Sequence, residues 1–205
     1  MSDIAMNQKL EVVATIKDGI VTGSKNIGSI LVNVLLWALT IWIPYLNVGT
    51  TIGLAVGIVS KASKGEIISP TEIFNPQYRK YMGEFFLTSG LVGIGVVIAT
   101  AFFVIPGIVL SFAWSLSILL AVDKGKNPSE AISLSNKLTY GNKGRMFGIY
   151  LLLGLAFSIV AGLLTLILNS VPTLLVILLI AIYLFAIFVS IGILASIYRQ
   201  LTENA

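Results

Sequence analysis

Three long stretches of the chain contain no Asp, Glu, Lys or Arg: Asn26 to Ser60, Phe85 to Val122, and Met146 to Tyr198. They hold 35, 38 and 53 residues. At about 1.5 Å rise per residue, even the shortest would make a helix of about 52 Å, whereas the hydrocarbon core of a bilayer is roughly 30 Å thick. Each stretch must therefore fold back on itself.

One proline lies near the middle of each stretch, at Pro44, Pro106 and Pro172. Proline lacks a backbone N–H and disfavours helix at the residue before it, so it suits the point where one helix ends and the next begins. The pattern predicts three helical hairpins. Their six helices are expected over residues 27–45, 47–63, 76–104, 106–123, 144–168 and 172–198.

We therefore predict an all-α polytopic membrane protein with six transmembrane helices, paired as three hairpins, and short amphipathic helices on the cytoplasmic side. An odd number of spans is the alternative, because the first hairpin is short for two full crossings. The single integral membrane domain, 1–205, divides into a cytoplasmic amphipathic segment (1–25), hairpin 1 (27–63), hairpin 2 (76–123), an inner-surface helix (128–140) and hairpin 3 (144–198).

The distribution of charge predicts how the chain is oriented across the membrane. With six spans, the segments 1–25, 61–84, 123–145 and 199–205 share one side of the membrane, and they hold all 13 basic and all 9 acidic residues. Lys and Arg accumulate in cytoplasmic loops, so both termini are expected in the cytoplasm, at a bacterial inner membrane. The net charge of +4 then has a membrane cause, and its expected partners are anionic lipids rather than nucleic acid.

Two of the charged segments carry signals for short helices. Asn127-Pro128-Ser129-Glu130 is typical of a helix start, and Gly141 of a helix end. Between them, Ala131, Leu134 and Leu138 share one face, as expected for a helix on the inner surface. The N-terminal segment has a similar, less regular apolar face, formed by Met6, Leu10, Val13, Ile16 and Ile20.

Glycines spaced by four are the most distinct packing signal, at Gly49, Gly53 and Gly57 and again at Gly144 and Gly148. Small residues at this spacing let helix backbones approach closely inside lipid, where apolar burial does not drive association. Packing within one chain is the favoured interpretation. A homo-oligomer interface is the alternative.

Polar and charged candidates are few. Asn33 lies inside a predicted span, where an interhelical hydrogen bond is the simple interpretation and a polar lining shared with Ser111 and Ser115 the more specific one. Glu84 is expected to form an interfacial ion pair with Arg79 or Lys80. The expected cytoplasmic interface comprises Arg79, Lys80, Glu84, Lys137 and Arg145.

Composition restricts the chemistry. The chain has no His and no Cys, which excludes a Ser-His pair, a cysteine nucleophile and the usual zinc ligand sets. No cofactor, metal or catalytic residue is expected, apart from a remote option of carboxylate chemistry at the inner surface. With 57% hydrophobic and 11% charged residues, the chain also has no spare stretch for a soluble catalytic domain.

One part of the chain resembles a known family. The residues concerned are Pro106-Gly107-Ile108 and the following span, then Pro128, Glu130, Ala131, Ser135, Leu138, Gly141 and Arg145. They resemble the membrane domain found beside bacterial glycerophosphodiester phosphodiesterases and in related multi-pass proteins. In that family the phosphodiesterase activity belongs to a separate soluble domain, so the resemblance implies a membrane module and transfers no catalytic residue.

Two functions remain open from the sequence. The first is a structural, lipid-binding or protein-interaction role at the cytoplasmic membrane, suggested by the inner-surface helices and the glycine motifs. The second is a pore or facilitative transporter for a small solute, suggested by Asn33 and the serines of the fourth span. No ionisable residue lies inside a predicted span, which disfavours a proton-coupled pump.

Overall fold

A computed structural model describes residues 9–203, and within that range the chain is helical and contains no strand. The α-helices are α1 (Val12–Lys25), α2 (Ile27–Thr40), α3 (Pro44–Ile52), α4 (Ile58–Ser63), α5 (Met82–Phe102), α6 (Val104–Ala113), α7 (Ser117–Asp123), α8 (Pro128–Leu138), α9 (Lys143–Leu168) and α10 (Pro172–Thr202). A π-helical turn, Gly53–Gly57, joins α3 to α4, and 3-10 turns occupy Glu72–Phe74 and Pro76–Tyr81.

Four helical segments are long and apolar enough to cross a membrane: Pro76–Phe102, Val104–Asp123, Lys143–Leu168 and Pro172–Thr202. A fifth span results if α1 and α2, which meet at a bend of 66°, count as one. The structure thus confirms a helical protein with four to five candidate spans. The predicted count of six is not confirmed.

The two helices predicted for the third hairpin agree closely with the structure in their bounds. We predicted helices over 144–168 and 172–198, and α9 and α10 cover Lys143–Leu168 and Pro172–Thr202. Pro172 occupies the first turn of α10, where its missing N–H would have no helical partner in any case. Length, proline position and absence of charge were sufficient signals here.

The second hairpin reverses three residues earlier than predicted. The break lies at Phe103, which is extended at φ −151° and ψ 117°, while Pro106 sits in the first turn of α6. Proline is tolerated in a first turn, so the break precedes it. At Gly107 a Cβ atom would overlap Thr100 of α5, which shows how closely the two arms pack.

The returning arm of the second hairpin is itself broken between α6 and α7, and α8 covers the break. The Ser135 hydroxyl donates to the Ala113 carbonyl at 2.8 Å and accepts from the Leu116 N–H at 3.2 Å. Thr139 also donates to the Ala113 carbonyl, at 3.2 Å. Irregular backbone inside a membrane is tolerated where protein groups satisfy it, and α8 supplies those groups.

This role of α8 changes its predicted face. We predicted an apolar stripe of Ala131, Leu134 and Leu138 on the inner surface, but the residues buried on α8 are Ala131, Ser135 and Leu138, and Leu134 is half-buried. The helix ends at Leu138, followed by Gly141 at φ +76°, so the predicted glycine end is correct. The helix packs inward through a serine that periodicity of apolar residues alone does not reveal.

The first hairpin differs most from its prediction. Its outgoing helix, α2, has 14 residues, or about 21 Å, which is shorter than the roughly 30 Å of a hydrocarbon core. Its turn was predicted on the opposite side of the membrane from Arg79. In the structure the Arg79 guanidinium lies 5.0 Å from the centre of the Tyr45 ring, so the turn and the charged start of α5 are neighbours.

α1 also departs from a surface helix. It runs antiparallel to the end of α10 and buries Thr15, Gly19 and Gly23. Of the predicted apolar stripe, Leu10 is buried, Ile16 is half-buried, Val13 and Ile20 are exposed, and Met6 lies outside the described residues. A Cβ atom at Gly192 of α10 would overlap the Gly19 carbonyl, so the two backbones touch. This close crossing fixes the first described helix to the last.

Candidate functional site

A polar cavity lies where helix ends that carry charged residues come together. It has a volume of about 420 Å³. Three parts of the chain form it. They are the segment from the π-helical turn through α4 to Lys64, the 3-10 turn before α5, and the end of α7. The lining residues are Val56, Ser60, Lys61, Lys64, Gln77, Tyr78, Lys80, Tyr81, Val122 and Asp123.

Asp123 is the most heavily hydrogen-bonded group of this cavity. Its Oδ1 accepts from the Ser60 hydroxyl, through a very short contact, and from the Lys64 ammonium at 2.9 Å. Its Oδ2 accepts from the Tyr198 hydroxyl at 2.9 Å. Only 9% of the Asp123 side chain is exposed, so these three donors replace the water that the carboxylate loses.

The same contacts join the three charge-free stretches. Ser60 is the last residue of the first stretch, Tyr198 is the last residue of the third, and Asp123 directly follows the second. One carboxylate thus holds α4, α7 and α10 together at the cavity wall. The network determines where these three helix ends lie relative to one another.

The three lysines of the cavity have different partners. Lys64 is paired with Asp123 and also donates to Ser60 at 3.1 Å. Lys61 is paired with Glu66 at 2.7 Å, and that hydrogen bond raises the pKa of Lys61 above its usual value. Lys80 forms no ion pair within residues 9–203, and its ammonium lies 5.5 Å from the centre of the Tyr81 ring.

A buried acid is hydrogen-bonded to one of the residues that line the cavity. Glu72 is 7% exposed and accepts a hydrogen bond from the Tyr78 hydroxyl at 2.6 Å. The ring of Tyr78 in turn packs on Gly57, where a Cβ atom would overlap it. Because Glu72 is bound to tyrosine below the lining surface, the groups that face the cavity are mainly cationic and neutral.

The predicted glycine motif has an unexpected partner. Gly49, Gly53 and Gly57 face the segment 72–79 rather than a second long helix. A Cβ atom on Gly53 would lie 2.7 Å from the Cα of Ile73, and one on Gly49 would lie 2.8 Å from Nε of Arg79. These three glycines thus let the 3-10 turns, which carry cavity residues, pack closely on α3 and the π-helical turn. Gly144 and Gly148 face open space in the single chain.

The predicted polar lining of Asn33, Ser111 and Ser115 is not assembled in the structure. Asn33 donates to the Ser69 carbonyl at 2.8 Å and accepts from the Ile73 N–H at 3.0 Å, so it holds the segment 69–73 against α2. Ser111 and Ser115 donate to carbonyls of their own helical segment, at Ile108 and Phe112. All three side chains use their hydrogen bonds on backbone.

The predicted cytoplasmic interface residues separate into two groups. Lys80 lines the cavity and Arg79 lies over the Tyr45 ring, whereas Lys137 is exposed on α8 and Arg145 donates to Asn142 at 3.2 Å. Glu84 was expected to pair with Arg79 or Lys80. Among the described residues the ion pairs are Lys61–Glu66, Lys64–Asp123 and Arg199–Asp18, so that expectation is wrong.

Sequence reasoning missed Ser60, Lys64, Asp123 and Tyr198 as a group. A signal was available, because all four lie at or within a few residues of the end of a charge-free stretch. Such ends are expected at one depth in a membrane protein, and their polar residues are natural neighbours.

Comparison with known proteins adds no relative. No protein-family model matches the chain, and neither a curated protein nor a solved structure matches it. The resemblance to the phosphodiesterase-associated membrane domain stays a prediction, and what the protein does has to be argued from its own geometry.

Proposed function

We propose that this chain is a non-catalytic module of the bacterial cytoplasmic membrane that binds anionic lipid headgroups at the cytoplasmic surface. The observation that carries the proposal is the cavity lined by Lys61, Lys64 and Lys80 among the polar ends of long apolar helices. Lysines at that depth meet the headgroups of the inner leaflet, which are rich in negative charge.

The proposed arrangement has four complete spans: α5, then α6 together with α7, then α9, then α10. The first hairpin is inserted from the cytoplasmic side. Four spans, like six, leave both termini on one side. On α2 and in the turn after it, the exposed side chains include Leu35, Leu39 and Trp42, whose exposed fractions are 56%, 69% and 76%. We infer that this apolar face lies among the acyl chains, while the opposite face packs on the segment 66–75.

Thermal unfolding in a neutral detergent tests the proposal directly. A ligand that binds only the folded protein raises its stability. Phosphatidylglycerol should raise the melting temperature of the purified chain, and phosphatidylcholine with the same acyl chains should not. The increase should shrink in high salt, since screening weakens contacts between exposed charges. Equal stabilisation by both lipids would contradict the proposal.

A pore or facilitative transporter is the second candidate, and it is weaker because Asn33, Ser111 and Ser115 are bonded to backbone. Solute flux through liposomes containing the purified chain, at a rate above that of empty liposomes, would favour it over the lipid-binding module. An oligomer formed through the open faces of Gly144 and Gly148 is compatible with either function.

A further inference from the structure

We propose that the cavity binds the phosphate group of a phospholipid through Lys64 and Lys80, and that Lys64 leaves Asp123 to do so. This inference rests on the proposed lipid-binding function and specifies its ligand group and its mechanism. Phosphate is the anionic group common to the headgroups of the inner leaflet, and lysine binds it as a compact point charge with three donors.

Lys80 is the cation that is ready for a ligand. It lines the cavity, is exposed, and lacks an ion pair within the described part of the chain. Its ammonium lies beside the Tyr81 ring at a distance where attraction to the ring is slight for an exposed group. An arriving phosphate therefore gains a charge-assisted contact without breaking an existing ion pair.

Lys64 is the cation that can change partner. Half of its side chain is exposed, at 50%, so its ammonium already reaches solvent. Asp123 does not depend on it, because Ser60 and Tyr198 donate to the same carboxylate. When Lys64 turns to a phosphate, Asp123 loses its cation but keeps two hydroxyl donors, and these hydrogen bonds lower the cost of leaving the carboxylate buried.

Lys61 is expected to stay with Glu66. Those two side chains are joined at 2.7 Å on the same short stretch of chain, and within residues 9–203 Glu66 has no second protein donor of the kind that Asp123 has in Tyr198. If Lys61 moved to a ligand, the Glu66 side chain, which is 45% exposed, would be left with water as its only donor. The structure therefore assigns different roles to three lysines that look equivalent in the sequence.

The first experiment measures binding of a short-chain phosphatidic acid to the full chain in neutral detergent, by calorimetry. Lys64→Ala and Lys80→Ala should each weaken binding about tenfold, the loss typical of one charge-assisted hydrogen bond. Lys124→Ala and Lys126→Ala are the matched controls, since both residues follow Asp123 and neither lines the cavity. They should change the affinity less than about twofold, as expected for screened surface charge.

The second experiment tests the exchange of partners by Lys64. Tyr198→Phe removes one of the hydroxyl donors of Asp123, so the carboxylate should hold Lys64 more tightly and binding should weaken about threefold, somewhat less than the loss of a full hydrogen bond. The same substitution should have no effect on binding in the Lys64→Ala protein. A purely structural effect of Tyr198→Phe would persist in both backgrounds and would overturn the exchange mechanism.

Inorganic phosphate distinguishes the two sources of the ligand group. The wild-type protein should bind phosphatidic acid at least tenfold more tightly than inorganic phosphate, because acyl chains add contacts in the membrane region. Equal affinities would overturn the lipid as ligand.

If Lys64→Ala and Lys80→Ala retain the full preference for anionic lipid, this site is wrong and the proposed function stands. If wild type lacks that preference, both fall.

Discussion

The first and third hairpins begin from the same sequence pattern and reach different structures. Both are charge-free stretches with a proline near the middle. In the third hairpin, α9 and α10 are two long helices joined by a short turn. In the first hairpin the helices are short, and Tyr45 at the turn contacts Arg79. The glycines of its returning arm pack against the segment 72–79, which carries Arg79. Lack of charge and a central proline therefore do not by themselves predict two long helices.

The largest expected difference is in side-specific labelling, and it could break the comparison. Because the chain has no native cysteine, single cysteines report the side of each turn. Ser170→Cys should react with an impermeant maleimide from outside intact cells, and Tyr45→Cys should react only after the membrane is permeabilised. Lys64→Cys is the control for the inner side. External reaction of Tyr45→Cys would restore the six-span arrangement.

Leucine in place of a glycine should sharpen the contrast between the two hairpins. Gly53→Leu places a side chain where Ile73 backbone already lies 2.7 Å from the Cβ position, so unfolding should become easier by about 3 kcal/mol, the upper part of the range for overpacking. Gly148→Leu meets open space and should leave stability unchanged or slightly higher. Denaturant titration in detergent measures both, and equal losses would contradict the assignment of the glycine stripe.

Removing Asn33 should have the next largest effect. Asn33→Leu leaves the Ile73 N–H without its partner and removes one of the two donors of the Ser69 carbonyl, at a cost of about 2 kcal/mol for buried groups. Ser111→Ala is the control in the second hairpin, since its hydroxyl bonds only to its own helix, and it should cost under about 0.5 kcal/mol. The same titration applies. An Asn33 variant as stable as Ser111→Ala would show that the segment 69–73 does not need α2.

The smallest expected effect concerns the broken second span. Ser135→Ala leaves the Leu116 N–H unpaired but keeps Thr139 on the Ala113 carbonyl, so the loss should be about 1 kcal/mol. Ser133→Ala, on the exposed face of α8, should have no measurable effect. Faster hydrogen exchange at Leu116 in the Ser135 variant would locate the loss at the break. Unchanged exchange there would mean that another group supports the N–H.

The sequence predicted most where one physical rule acted alone. The third hairpin follows from length and Pro172, and the pair of long helices is where we expected it. The first hairpin could not be predicted the same way, because Asn33 hydrogen-bonds to a loop more than thirty residues later, at Ser69 and Ile73. A contact over that distance leaves no periodic trace. Asn33 itself was recognised as unusual, but its partner was expected on a helix.

The cavity was partly predictable. Lys80 and Arg79 were expected at an interface on the strength of their position before α5. The pairing of Lys64 with Asp123 was not predicted, since nothing local links residues 59 positions apart. The ends of the charge-free stretches at Ser60 and Tyr198 mark the place where those charges meet. The common depth of helix ends is a usable signal, whereas the pairing among them needs the fold.

The crossing of α1 on α10 has a consequence for biogenesis. Asp18 and Arg199 are joined at 2.6 Å although they stand 181 residues apart, so the first described helix acquires this partner only after the ribosome has made α10. Until then Gly19 and Gly23 have no α10 backbone to pack against. Docking of α1 must therefore wait for synthesis of α10, and a chain truncated before Gly192 would leave α1 without this packing partner.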